Sequence, residues 1–97
     1  MNFHLKFYGV FRTAAKAGEL DLEVASEGTT VRSLISKLVS QDRFQALKSL
    51  LLDVESSDPR PNALIMVSGR EINALNGLET ELKEHDEVAF LPIAHGG

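Results

Sequence analysis

The apolar residues of this chain change period twice, from two to about 3.6 and back, and that switch constrains the fold more than any other feature. Phe3, Leu5 and Phe7 alternate with His4, Lys6 and Tyr8, the spacing of a half-buried strand ending near Gly9. Leu20, Leu22 and Val24 alternate likewise with Glu19, Asp21 and Glu23. The two segments read as a hairpin of antiparallel strands joined through a Thr13–Gly18 connection. Val31, Leu34, Ile35, Leu38 and Val39 then fall at helical spacing, with Thr29 or Thr30 as N-cap. Phe44, Leu47, Leu50, Leu51 and Val54 repeat that spacing and predict a second, shorter helix from Arg43 to Asp53.

Glu55–Asn62 holds two of the three prolines and reads as an exposed loop. Ala63–Val67 is an unbroken apolar run, as expected of a central strand covered on both faces. Ile72–Leu75 reads as a short edge strand, Asn76-Gly77 as a turn and Glu87–Leu91 as the last strand. The order ββα(α)ββ(β) predicts an α+β layer: a mixed sheet of four to five strands packed on one main helix plus a short second helix.

Length and composition fit one folding unit, with 97 residues of which 43% are hydrophobic and 25% charged. Residues 1–92 are expected to form the domain and residues 93–97 a flexible tail. A net charge of -4 argues against a dedicated nucleic-acid binder, whose surface would carry a basic face. No apolar run approaches the ~20 residues that span a bilayer, and the alternating N-terminus lacks a signal-peptide core, so a cytoplasmic chain without a membrane partner is expected. The lack of cysteine removes disulfides, thiolate metal sites and a cysteine nucleophile.

Catalytic motifs give little. There is no Walker-type phosphate loop, and His4, His85 and His95 stand outside any metal-ligating spacing, so neither a metal nor a bound cofactor is expected. His4 and His85 read as structural or solvent-facing. Carboxylate pairs such as Glu79 with Glu81 read as a solvated face.

The C-terminal residues carry more information. In Val88-Ala89-Phe90-Leu91 the alternation puts Val88 and Phe90 on one face; with Phe90 in the core, Leu91 is exposed beside the tail. Pro92 lacks an N–H, so it is expected to end strand pairing and launch an extended segment. Ile93 and Ala94 are apolar where a free tail would be polar, and His95 follows. Gly96 and Gly97 lack Cβ atoms and permit the backbone to enter a narrow channel in a partner. Gly96-Gly97 is therefore the candidate reactive end, threadable beyond an anchored strand. A carboxylate is a poor electrophile until it is activated, for instance as an acyl-adenylate. An ATP-using partner is thus implied, with this chain as its substrate rather than an enzyme.

Over nearly its whole length the chain resembles the β-grasp sulfur carriers and modifiers: the small subunit of molybdopterin synthase, the ubiquitin-related modifier and the archaeal small modifier proteins. The Asp86-Glu87-Val88-Ala89-Phe90-Leu91-Pro92 stretch is similar to the last strand of the molybdopterin synthase subunit. That subunit commonly has Ser or Thr before its glycines; His95-Gly96-Gly97 instead resembles the ubiquitin-related modifier. The resemblance implies a ubiquitin-like β-grasp fold and activation of Gly97 by an adenylating, ubiquitin-activating-type enzyme, with Leu91, Pro92, Ile93, Ala94 and His95 as candidate partner-binding residues. It leaves three readings: a carrier of sulfur as a thiocarboxylate that also modifies lysine-bearing target proteins by an isopeptide, favoured by His95; a dedicated molybdopterin synthase small subunit, paired with the large subunit and donating sulfur in molybdenum cofactor biosynthesis; or a non-covalent binding module.

Overall fold

The N-terminal alternation becomes strand β1 (Asn2–Phe7) in the computed structural model, which describes residues 1–25 and 27–93. Phe3, Leu5 and Phe7 point into the core, while Asn2, His4 and Lys6 point away from it. Strand β2 (Glu19–Glu23) pairs antiparallel with β1, from Asn2 opposite Glu23 to Lys6 opposite Glu19. The connection is not a simple turn. It contains a seven-residue helix, α1 (Gly9–Ala15), which the sequence reading missed. The helix is short, starts without a side-chain cap and ends on Lys16 in the left-handed region (φ 58°), so period and capping signals are weak. Only Phe11 and Ala15, four residues apart and both buried, betray it.

Helix α2 (Val31–Val39) follows the expectation. Thr30 accepts a hydrogen bond from the Ser33 N–H (3.2 Å), and Ser33 Oγ accepts one from the Thr30 N–H (2.9 Å), closing a reciprocal cap. Its five predicted apolar positions are all buried. The second helical stretch is shorter than expected. A 3₁₀ turn at Asp42–Phe44 leads into α3 (Gln45–Leu51), which stops two residues before Asp53. Beyond it the Asp53 carboxylate accepts the N–H groups of Glu55 and Ser56, a local turn that competes with further helix. Val54 is consequently 95% exposed rather than part of an apolar stripe.

Strands β3 (Ala63–Val67), β4 (Arg70–Glu71) and β5 (Glu87–Pro92) complete a five-stranded sheet in the order β2-β1-β5-β3-β4. The β1–β5 pair is parallel and the others antiparallel, so the sheet is mixed. The central strand is β5, not β3. Its neighbour β3 buries Ala63, Ile65 and Val67 but leaves Leu64 exposed and Met66 half-buried, because the buried faces of the helices cover only one side of the sheet. The edge strand also differs: Ile72–Ala74 is a 3₁₀ turn, capped by the Glu71 carboxylate, which accepts from both the backbone and the side-chain nitrogen of Asn73. Pairing with β3 is thereby confined to Arg70 and Glu71.

The core lies between the inner sheet face and the three helices. Phe7 and Phe90, register partners on the parallel strands, stack at 5.5 Å with 14° between ring planes. Each such ring contributes about 1.5–3 kcal/mol through burial alone. Among the described residues no helix is long and apolar enough to cross a membrane.

Candidate functional site: the open sheet face where strand β5 ends

Because the helices occupy one face, the outward residues of β1, β5 and β3 form an uncovered surface. Register places Leu64 opposite Leu91 and Met66 opposite Ala89 on it. Tyr8 extends β1 on the same side, its N–H donating to the Phe90 carbonyl (3.1 Å). Six large hydrophobic residues are exposed among those described, and four of them, Tyr8, Val10, Leu64 and Ile93, border the end of β5. The other two, Leu50 and Val54, belong to α3 and the turn after it. Exposed apolar side chains grouped in this way make this face a candidate contact surface.

The sequence-derived site residues distribute as follows. Leu91 is half-buried rather than exposed, shielded on one side by Leu64 across the β3–β5 ladder. Pro92 and Ile93 are exposed. Pro92 does not end all pairing: it faces Ala63, and the next N–H, of Ile93, donates to the Asn62 carbonyl (3.1 Å). A proline is tolerated there because no ladder bond needs its N–H: the donor to the β3 side is the Ile93 N–H, and on the β1 side the Tyr8 carbonyl already accepts from the Phe11 N–H (3.1 Å). Register pairing of β5 with β1 does stop earlier, at Phe7 opposite Phe90. Ala94, His95, Gly96 and Gly97 lie outside the described residues. Sequence reasoning missed Tyr8, Val10, Leu64 and Met66. The outward register of Tyr8 was legible from the β1 alternation, whereas the openness of β3 was not.

Next to this apolar zone the face is polar and paired within itself. His4 sits between Asp21 (Nδ1 to Oδ1, 2.8 Å) and Glu19 (Nε2 to Oε1, 2.8 Å). Both ring nitrogens therefore donate, which favours the imidazolium; the hydrogen bonds to Asp21 and then Glu19 raise its pKa above the ordinary 6.5. The same contact holds the Glu19 carboxyl below its ordinary value. Lys6 Nζ meets Glu87 Oε1 at 3.0 Å, and that hydrogen bond raises the lysine pKa. A cleft of about 520 Å³, lined by Lys6, Tyr8, Gly9, Arg12, Gly18 and Glu19 among others, joins the two zones. Among the described residues no group of three or more His, Asp or Glu side chains is arranged to hold a metal ion.

The model of the ThiS family matches residues 5–97, nearly the entire sequence and through its last residue. The chain belongs to the ThiS family. Among its relatives is a protein of Archaeoglobus fulgidus described as a sulfur carrier, 36% identical over 86 residues that cover 89% of this chain and 94% of the relative. Small archaeal modifier protein 3 of Haloferax volcanii is 27% identical over the full length of both chains. The solution structure of small archaeal modifier protein 1 from Methanosarcina acetivorans superposes with a TM-score of 0.82 at 30% identity, covering 99% of this chain and 96% of that one. The fold of this ThiS-family chain is the ubiquitin-like β-grasp, with a helix α1 between its first two strands.

Proposed function

We propose that this protein is a ubiquitin-like carrier whose Gly97 carboxylate, behind Gly96, is activated by an ATP-dependent adenylating enzyme of the ubiquitin-activating type. It then serves as a sulfur carrier, a covalent protein modifier, or both. The observation that carries this reading is the gathering of exposed apolar side chains at the end of β5, from which residues 93–97 lead to the diglycine. A partner that handles the terminus must cover that surface.

The chemistry follows from the carboxylate. One of its oxygens attacks the α-phosphorus of ATP, a C–O–P linkage forms, and the bond to pyrophosphate breaks. Hydrosulfide attacking the acyl carbon then expels AMP and leaves a thiocarboxylate. A lysine amine in the same role expels AMP, loses a proton and leaves an isopeptide. ATP is held by the partner, so the chain binds no cofactor of its own and acts as substrate rather than enzyme, in the cytoplasm where ATP is available. Leu91, Pro92, Ile93, Ala94 and His95 are the residues that contact the partner, with Leu64 and Met66 widening the docking surface. The names of the carrier and modifier relatives support this broader role over dedicated service with a molybdopterin synthase large subunit.

The test is ATP–pyrophosphate exchange with adenylating enzymes from the same host. Exchange is expected that depends on the full chain and vanishes when Gly96-Gly97 is deleted. Absence of exchange with the full chain, or exchange undiminished by the deletion, overturns the proposal.

A further inference from the structure

The Gly97 carboxylate lies four residues beyond Ile93. The four residues after Ile93 reach at most about 14 Å even when fully extended. The hold on Pro92 and Ile93 thus decides where the reacting atom arrives, and two contacts provide that hold.

The first is a close approach of backbone to ring. Gly9 has φ +54°, a conformation costly for residues with a Cβ, and a Cβ placed on it would lie 2.8 Å from Pro92 Cγ. Gly9 has little freedom to withdraw. The Tyr8 N–H donates to the Phe90 carbonyl (3.1 Å), and the Phe11 N–H donates to the Tyr8 carbonyl (3.1 Å), tying the start of α1 to both strand and helix. Phe11 itself is 1% exposed and anchors the helix in the core.

The second contact is Asn62. Its carbonyl accepts the Ile93 N–H (3.1 Å), its side-chain nitrogen donates to the Leu51 carbonyl at the end of α3 (3.2 Å), and its own N–H donates to the Pro59 carbonyl (3.0 Å). The acceptor for the tail is thereby fastened to a helix and to the loop before β3.

We infer that Gly9 and Asn62 are positioning residues that together form a seat for Pro92 and Ile93 and aim the C-terminal carboxylate into the activating partner. Neither touches the reacting atoms. The role rests on the proposed activation of Gly97, and it explains why α1 begins with glycine where it meets Pro92.

The experiment compares the full-length chain with Gly9→Ala, Pro92→Ala and the double variant. Two readouts are taken, hydrogen exchange of the Ile93 amide by NMR and the kcat and KM of chain-dependent pyrophosphate exchange. Gly9→Ala is expected to remain folded with Tm lower by about 4–8 °C. Its Ile93 amide should lose protection, and kcat should fall about 10–100-fold from misplacement of the carboxylate with a smaller rise in KM, because Leu64 and Met66 of the docking surface stay in place. Combining it with Pro92→Ala removes the ring that clashes while leaving alanine at φ +54°, and should bring both readouts part of the way back towards those of Pro92→Ala alone. Wild-type kcat and Ile93 protection in Gly9→Ala, or a loss that persists undiminished in the double variant, overturns the inference. A wild-type chain that supports no exchange overturns the activation reading itself, and the positioning role with it; failure of the seat alone leaves wild-type exchange in place.

Discussion

On the β1–β2 side of the open sheet face, His4 meets Asp21 and Glu19 at 2.8 Å, and Lys6 meets Glu87 at 3.0 Å. On the β5–β3 side, Tyr8, Leu64 and Ile93 are 44%, 36% and 41% exposed, with Leu91 half-buried among them. Both zones lie on one sheet and share strands β1 and β5, yet one is satisfied within the chain and the other is not. Exposed ion pairs contribute only about 0–1 kcal/mol each, so the polar zone serves register and solubility more than stability. Apolar area left in water gains about 25 cal/mol per Å² only when something covers it. The difference separates a surface satisfied within the fold from one left open, and the open one, proposed above as the partner's, surrounds the end of β5.

The sharpest way to break this contrast is to remove what the apolar zone is proposed to serve. Deletion of Gly96-Gly97 should abolish thiocarboxylate and conjugates altogether, with stability unchanged within about 0.5 kcal/mol, as read by mass spectrometry and thermal melting. Persistence of either product separates the surface from any terminal chemistry. The reverse pattern is expected inside the sheet. Phe90→Ala removes a fully buried ring stacked on Phe7 and should cost about 3–5 kcal/mol in chemical denaturation, with activity lost only as the domain unfolds.

Between these extremes, Leu64→Asp tests the apolar zone directly. It should raise the KM for activation by about ten-fold or more, as expected for loss of a contact worth 1.4 kcal/mol or above, while leaving the melting curve close to wild type. An unchanged KM would remove Leu64 from the docking surface.

The smallest effect belongs to the polar zone. The raised pKa of His4 stabilises the fold fully below the ordinary value of 6.5, and that contribution is lost as pH rises through the higher folded-state value. The lowered pKa of Glu19 acts oppositely, its contribution being present above the ordinary 4.5 and lost as pH falls through the folded-state value. Substituting His4→Gln should therefore lower Tm most between about pH 4.5 and 6.5 and least at pH 8, without altering activation kinetics. A Tm difference independent of pH would contradict the imidazolium bridge.

The outline of the fold was legible in the sequence because its strands alternate cleanly and α2 carries both a full apolar stripe and a reciprocal cap. What escaped depended on contacts distant in the chain. Helix α1 is defined by Phe11 and Ala15 packing in the core, with no cap to announce it. Ala63–Val67 looks buried on both faces because a purely apolar run gives no hint that one face is left uncovered by the helices. The site was read through Leu91, Pro92 and the tail, but its width across Leu64, Met66 and Tyr8 appears only with the strand register. Asn62 and Gly9 carried no sequence signal beyond being a loop residue and a strand-ending glycine.

The central claim is that this chain exists to have its C-terminus activated and passed on. Its most direct test is mass analysis of the tryptic peptide Glu84–Gly97 from N-terminally tagged protein, recovered from its own host under denaturing, non-reducing conditions; no Lys or Arg follows Lys83. The account predicts that this peptide is found with one terminal oxygen replaced by sulfur, or branched onto lysines of other proteins. Recovery of the free acid alone, in cells where the protein is in use, would contradict it.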